Sequence, residues 1–518
     1  MVRAAEPLTE RERAIHALSR LAYGPRPGEV ERVLALGVDR WVESQLAPAG
    51  IEDAAVERLL AGAPALAMTP AQLRAEFLEA ERPENPTPEQ RRELQRRKNE
   101  PRVQLLRSVL QRAVLSERQA LEILTDLWRN HFNVSYTKGG PIEVFLPDWD
   151  RSVIRAHALG GFGALLAASA QHPAMLIYLD NAVSRRPATP AELAAIGRRV
   201  QRRTGSAERA EEEMELARQK GLNENYAREL MELHTLGADN GYSQDDVVAV
   251  AEAFTGWTVR RNEGVFEFRN DMHVPGDKRV LGRVIPGDAA DGAREGRAIL
   301  ELLAASAGTA RFLARKLACR LIRDDPPPEA VEAGAAAYLE SQGDIRALAG
   351  AIVASPAFWA RDSFRAKFKT PFEFVVSALR ATGAAVENPD AVLAALREMG
   401  QPIYLCDPPT GYADTAEAWL DPGVLAARWQ FALDLAEGRI RGARVPPDFH
   451  ADLQGVAPTD WWRRLAEKLL PAGCSESTQA ALRAAGAEFL DAGPPGRRRQ
   501  LAPRLLGLVL GSPEFQQQ

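Results

Sequence analysis

The sequence predicts a mainly α protein, a large multi-helix globular assembly with one small β-hairpin near residues 264–285. Three observations lead there. Ala, Leu, Glu and Arg, all strong helix formers, dominate the 518 residues. Apolar residues recur every three or four positions over residues 11–22, 27–46, 104–132, 243–257, 298–322 and 328–342. Strand-like composition concentrates in one place, between Gly264 and Ile285. At 46% hydrophobic and 26% charged, the chain reads as ordinary globular protein rather than disordered or collagenous.

Along the chain, residues 1–385 are expected to form a main helical domain and 386–518 a C-terminal helical region packed on it. Residues 79–103 and 183–221 combine charge runs, Pro and few large apolar side chains, and read as mobile insertions that carry solvated helices. Ser243-Gln244-Asp245-Asp246 ahead of Val247 supplies a hydroxyl cap and early carboxylates, the chemistry of a helix start. In the hairpin, Val265-Phe266-Glu267-Phe268 and Arg279-Val280-Leu281 are expected to pair across a turn at Pro275-Gly276. Between Pro402 and Gly423, turn residues are threaded with Tyr404, Tyr412 and Trp419, so this loop is expected to pack on the body.

Charge and cysteine content exclude several classes. With 65 basic and 70 acidic residues the net charge is -5, without the footprint of a nucleic-acid binder. The Arg198–Arg203 cluster and the Arg497-Arg498-Arg499 run lack interleaved aromatics and read as solvated faces. No apolar run reaches the roughly 18 residues of a membrane span. Cys319, Cys406 and Cys474 stand far apart, which supports neither a disulfide framework nor a thiolate zinc site. Read from Met1, the chain lacks the apolar stretch of about 7–15 residues found in a secretory signal, so a cytoplasmic location is expected, or a periplasmic or exported one if the true amino terminus differs.

Three segments could carry chemistry. In Asn223-Glu224-Asn225-Tyr226-Ala227-Arg228-Glu229-Leu230-Met231-Glu232-Leu233-His234-Thr235-Leu236-Gly237, a helical wheel puts Glu224, Asn225, Arg228, Glu229 and Glu232 on one arc. Tyr226, Leu230, Leu233 and His234 fall on the other. One reading is a salt-bridged, solvated face with His234 near the helix end before Gly237. The other is a buried polar face, since Asn223 and Asn225 are poor helix formers. In Asp126-Leu127-Trp128-Arg129-Asn130-His131-Phe132, Asp126 and Asn130 share a face while His131 sits at the margin of the apolar stripe, either a core histidine or a ligand. In the third, Asp271-Met272-His273-Val274-Pro275-Gly276-Asp277-Lys278, polar groups collect on a turn, as a site or as plain turn chemistry. Phosphate-loop, nucleophile-elbow, HExxH and dinucleotide motifs are absent from the sequence, and Glu232 and His234 are too close for a Glu-x-x-His pair.

Taken with Leu18-Ser19-Arg20-Leu21-Ala22-Tyr23-Gly24-Pro25, Gly241 to Val247, Phe254-Thr255-Gly256-Trp257, Lys369-Thr370-Pro371-Phe372-Glu373 and Pro409-Thr410-Gly411-Tyr412, these blocks resemble the bacterial domain of unknown function 1800 family over nearly the whole chain. The resemblance implies a mostly helical protein without an assigned activity, often exported, encoded beside a second uncharacterised family with a sulfatase-like fold. That neighbour is the protein partner the resemblance implies. Val274 stands where an Asp is expected after the hairpin histidine, and the 183–221 insertion is longer than usual.

Two functions are expected from these residues. The first is a polar, metal-binding or hydrolytic site. In it Glu229 or Glu232 serves as ligand or general base, and His131 and His273 as ligands or acid-base groups. Arg228 holds an anion, Asn130, Asn223, Glu224, Asn225 and Lys278 contact the ligand, and His131, His273 and Glu229 hold a divalent metal. The second is a non-enzymatic scaffold that meets a partner protein through the 183–221 insertion and the 402–423 loop.

Overall fold

The computed structural model describes residues 6–79, 85–219, 221–238, 240–260, 263–491 and 498–518. The side chains of the Arg497–Arg499 run lie outside what is described. The chain is 65% helical, and its named strands make three short antiparallel pairs. Helix starts follow side-chain chemistry. Thr9 with Glu12, Thr87 with Gln90, Thr189 with Glu192, Ser243 with Asp246 and Thr370 with Glu373 each form a reciprocal capping box.

One continuous apolar core runs from Ala14 to Phe515 and crosses residue 385. Trp128, Trp149 and Trp257 are among its largest fully buried side chains. The helix Pro88–Leu115 explains the character of residues 79–103. Its exposed front half is the charged stretch, whereas Leu105, Val109, Leu110, Ala113 and Val114 of its second half enter the core. The 183–221 segment carries two helices, Pro190–Thr204 and Ala207–Gln219, which pack chiefly on each other through Val200, Ala210 and the close approach of Gly197 to Met214. Arg198, Arg199, Arg202 and Arg203 are exposed there.

The strand pairing differs from the sequence expectation. β1 (Trp257–Arg260) pairs with β2 (Val265–Phe268), and β3 (Lys278–Val280) pairs with β4 (Arg283–Ile285). Two local hairpins therefore replace one long-range pairing across Pro275-Gly276. Each strand takes its nearest neighbour because short loops cost the least closure entropy. Leu281 and Gly282, at φ 50° and 74°, make the two-residue turn that suits the twist of β3 and β4. Among the described residues, no helix is long and apolar enough to cross a membrane.

The segment that positions the site is Lys367–Glu373. Its main chain pairs with Gln516–Gln518: Lys369 N donates to Gln516 O at 2.9 Å, and Gln518 N donates to Lys367 O at 2.8 Å. The helix Pro371–Thr382 then runs into the core against Pro88–Leu115, Asp390–Glu398 and Pro422–Ala436, and its Glu373 pairs with Arg320 of the helix Ala307–Leu321.

Candidate functional site

The Asn223–Gly237 block divides its residues between surface and core. Asn225–Glu229 is α-helical and Leu230–Thr235 widens into a π-helix, with Leu236 N donating to Met231 O at 2.9 Å. Arg228 donates to Glu224 Oε2 (3.1 Å) and Gln244 Oε1 (2.9 Å), and Gln244 Nε2 donates to Glu224 (2.7 Å). Arg228 and Glu224 are thus engaged in a surface network. Asn223 Oδ1 caps Asn225 N at 2.9 Å. Glu229 and Glu232 are half-buried, and burial, then the neighbouring Glu232, pushes the Glu229 carboxyl up. Tyr226, Leu230 and His234 are buried on the opposite side, as the wheel requires.

His131 is 1% exposed and packs edge-on to Trp128 and Phe132. Its Nε2–H donates to the His234 carbonyl at 3.1 Å. The π-helix thus meets His131 through a backbone oxygen, and the two rings stay 6.0 Å apart. Burial drives His131 well below the usual histidine range, with Lys316 adding repulsion, and takes His234 down to about 3. His16 is depressed by burial in the same way.

Such neutral histidines have a measurable signature. The unfolded chain binds protons at these rings below about pH 6.5 while the folded chain does not, so stability is full above that pH and falls beneath it. Each ring is expected to contribute about 1.4 kcal/mol per pH unit. Urea unfolding of wild type and His131→Phe between pH 7 and 5 should show the variant's pH slope smaller by about one proton. Equal slopes would mean that His131 is charged in the fold.

His273 lies in a separate, closed cluster. Its Nδ1–H donates to Thr255 O at 2.9 Å, and Nε2 stands 3.2 Å from Glu295 Oε2. Lys278 Nζ pairs with the same carboxylate at 2.6 Å and donates to Gly276 O at 2.7 Å. The three side chains are at most 3% exposed. The structure therefore does not gather His131, His273 and Glu229, because the first is held in an aromatic core and the second by its hydrogen bond to Thr255 O beside Glu295. Lys278 likewise faces its own backbone rather than a cleft. Among the described residues, no group of three or more His, Cys, Asp or Glu side chains is placed to hold a metal ion.

Of the expected ligand residues, Asn130 lines an open cleft. Asn130 Nδ2 donates to Tyr412 O and Tyr412 N donates to Asn130 Oδ1, both at 2.7 Å. One side-chain amide thereby clamps the backbone of the aromatic loop. Asn133 Nδ2 holds the same loop at Cys406 O and Pro408 O (2.9 Å each), and Tyr178 Oη donates to Asp407 O at 2.7 Å. In the 402–414 part of the loop Tyr404 and Cys406 pack inward, whereas Asp407, Pro408, Thr410 and Ala413 stay exposed.

Between this loop and the Gln119–His131 helix lies a narrow cleft of about 50 Å³, lined by Asp126, Arg129, Asn130, Arg320, Phe372, Gln401, Tyr404, Tyr412 and Asp414. Its floor is an ion-pair chain. Arg129 donates to Asp150 (2.9 Å) and Asp126 (3.2 Å), Tyr404 Oη donates to Asp150 (2.7 Å), and Arg320 pairs with Glu373. Asp150 belongs to a second π-helix, Trp149–Arg155. Such segments recur at functional sites.

Asp126 and Arg320 do not complete their contact: Arg320 Nη2 is 3.9 Å from Asp126 Oδ2 and, among the described residues, has no hydrogen-bond partner. The Asp126 carboxyl is pushed up. Burial is the main cause, Arg129 and Arg320 oppose it, and Glu373 and Asp414 reinforce it. For Glu373 burial also acts upward, but Arg320, the Gln518 amide, Thr370 N–H and Lys367 together hold it below the usual carboxylate range.

Arg320, Glu373, Asp150 and Asp414 escaped sequence reasoning as site residues. A signal existed for two of them. Thr370-Pro371-Phe372-Glu373 is a capping box whose Glu also faces the core, and Arg320 interrupts an otherwise apolar helical face.

A family model described as a protein of unknown function, DUF1800, matches residues 16–517. No curated protein and no solved structure matches the chain.

Proposed function

The chain belongs to the DUF1800 family, and from that premise we propose that it binds a small polyhydroxylated ligand in the Asp126 cleft and hydrolyses it by acid–base catalysis. The observation that carries this reading is the incomplete contact between Asp126 and Arg320 Nη2 at the cleft floor. Buried donors are almost always satisfied, and Arg320 is among the side chains that line the cleft, where a ligand oxygen that displaces its neighbours would complete it. Carboxylates and amides match hydroxyl groups, and the rings of Phe372, Tyr404 and Tyr412 match the apolar face of a sugar-like ring.

In this reading Asp126, whose carboxyl holds its proton above the usual range, donates to the leaving oxygen, and Asp414 orients the attacking water. Both residues line one cleft, which supports a two-carboxylate reading. Arg320 Nη2 holds a ligand hydroxyl.

The test is turnover of a panel of 4-nitrophenyl glycosides together with calorimetric binding of the parent sugars. Asp126→Asn is expected to retain binding and lose about 10²- to 10⁴-fold in turnover. Tyr412→Ala is expected to weaken binding. Wild-type protein that neither binds nor cleaves any member of the panel would overturn the proposal.

The scaffold reading draws on a different feature, the paired helices Pro190–Thr204 and Ala207–Gln219, which rest chiefly on each other and leave their charged faces outward. A protein partner encoded nearby would meet this arm.

A further inference from the structure

The Lys367–Glu373 segment also borders a second, narrow cleft of about 50 Å³, lined by Lys369 and Ser377 together with Gly24, Arg365, Leu470 and Glu514. Lys369 is 6% and Ser377 3% exposed. Lys369 Nζ lies 2.9 Å from Ser377 Oγ, donates to Phe515 O at 2.6 Å and sits 4.2 Å from the Phe515 ring centre. A hydroxyl inside a helix ordinarily donates back to the carbonyl one turn earlier. Thr382 does so, to Ala378 O at 2.7 Å. Ser377, on the same helix, faces an amine instead. Opposite it, a Cβ on Gly24 would come within 2.9 Å of Ser377 Oγ. The bare glycine therefore keeps the space beside the hydroxyl open.

We propose that Ser377 and Lys369 form a Ser–Lys nucleophilic dyad that hydrolyses esters of small apolar acyl groups. This site is independent of the Asp126 cleft. Nucleophilic serine needs an adjacent base, and a neutral lysine can serve as one. Neutral Lys369 accepts the Oγ proton as Oγ bonds to the ester carbonyl carbon. The tetrahedral intermediate collapses with cleavage of the ester C–O bond, and the alcohol leaves with the proton from the Lys369 ammonium. Water then adds to the acyl carbon, giving a proton to Lys369. The acyl–Oγ bond breaks, Oγ recovers that proton, and the carboxylic acid departs.

Arg365, half-buried in the same cleft and held by its Nη1 donating to Gly473 O at 3.1 Å, supplies positive charge for the oxyanion. Ile15, Leu469 and Leu470 give the acyl pocket its apolar wall. The amine is neutral near physiological pH because burial takes it down to about 7. Glu373 opposes that shift, and Arg365 and Arg428 reinforce it. Glu514 is the remaining charged group lining the cleft.

The experiment is labelling of the full chain with a fluorophosphonate probe, mapped by peptide mass spectrometry, alongside release of 4-nitrophenol from its acetate and butyrate esters. An adduct on Ser377, formed with loss of fluoride, is expected. Its rate should rise with pH through a single ionisation near 7 and be absent in Ser377→Ala. Lys369→Met, checked by circular dichroism, should slow labelling at least 100-fold. Where Lys369→Met fails to fold, the wild-type pH profile decides. Folded wild-type protein with no Ser377 adduct, or labelling whose rate is flat between pH 6 and 8, would overturn the dyad.

Discussion

Arg320→Ala is expected to destabilise the fold by about 3–5 kcal/mol, since removing one partner of a buried ion pair leaves the other charge uncompensated. Arg320 and Glu373 are 6% and 3% exposed. After the substitution the Glu373 carboxylate keeps the Gln518 amide (2.7 Å) and Thr370 N–H (2.7 Å) as hydrogen-bond donors and Lys367 as a favourable charge. In the native chain Glu373 is held below the usual carboxylate range, so its contribution is present at neutral pH and is lost only as the pH falls through that depressed value. Without Arg320, burial acts unopposed by its strongest counter-charge, and the carboxyl takes up a proton more readily. The stability gap between wild type and Arg320→Ala should therefore narrow as the pH falls from 7 to 4.5. A double variant, Arg320→Met with Glu373→Leu, should recover part of the loss, because the uncompensated charge is gone. Urea unfolding at the two pH values decides. A loss under 1 kcal/mol, or a gap that stays constant with pH, would show that the pair does not anchor the cleft floor.

The helical architecture was legible in the sequence wherever local chemistry and periodicity agree. Ser243 caps the helix at Gln244 as read, and Tyr226, Leu230 and His234 turn inward as a helical wheel requires. Pairing of the strands was not legible. Val265–Phe268 has the composition of a strand, yet composition does not name its partner, and β1 begins at Trp257, the last residue of the 243–257 helical stretch, and lies outside the 264–285 strand region. The candidate site shows the same divide. Asn130 was picked out for its place on a helix face, and it does reach the cleft. The partners that give this face its chemistry stand about 190–290 residues away in sequence. Arg320 comes from one helix, Glu373 from the cap of another, and Asp414 from the aromatic loop. No spacing rule connects them, because tertiary packing alone brings them together. His131 illustrates the opposite case. A histidine beside apolar positions has the same sequence signature whether it ligates or packs, and only its aromatic surroundings decide.

Gly411→Ala is expected to detach the wall of the cleft. Gly411 adopts φ 73°, and a Cβ there would come within 2.4 Å of Asn130 O and 2.5 Å of Asn130 Oδ1. The substitution therefore meets two obstacles at once. A left-handed backbone costs an L-residue roughly 1–2 kcal/mol. The methyl group must also displace the amide that clamps Tyr412, which breaks two hydrogen bonds worth about 1 kcal/mol each. Together these predict a loss of about 3–4 kcal/mol, with tenfold or greater weakening of ligand binding, since Tyr412 and Asp414 move with the loop. Asn130→Leu attacks the same contact from the helix side and should cost a similar amount by leaving the Tyr412 backbone unpaired. Since both changes break one junction, the double variant should cost little more than either alone, the mark of coupled sites. Additive losses would place the effect of Gly411→Ala in its own backbone and not in the clamp. The loop would then be held by Asn133 and Tyr178, whose bonds to Cys406, Asp407 and Pro408 neither variant touches.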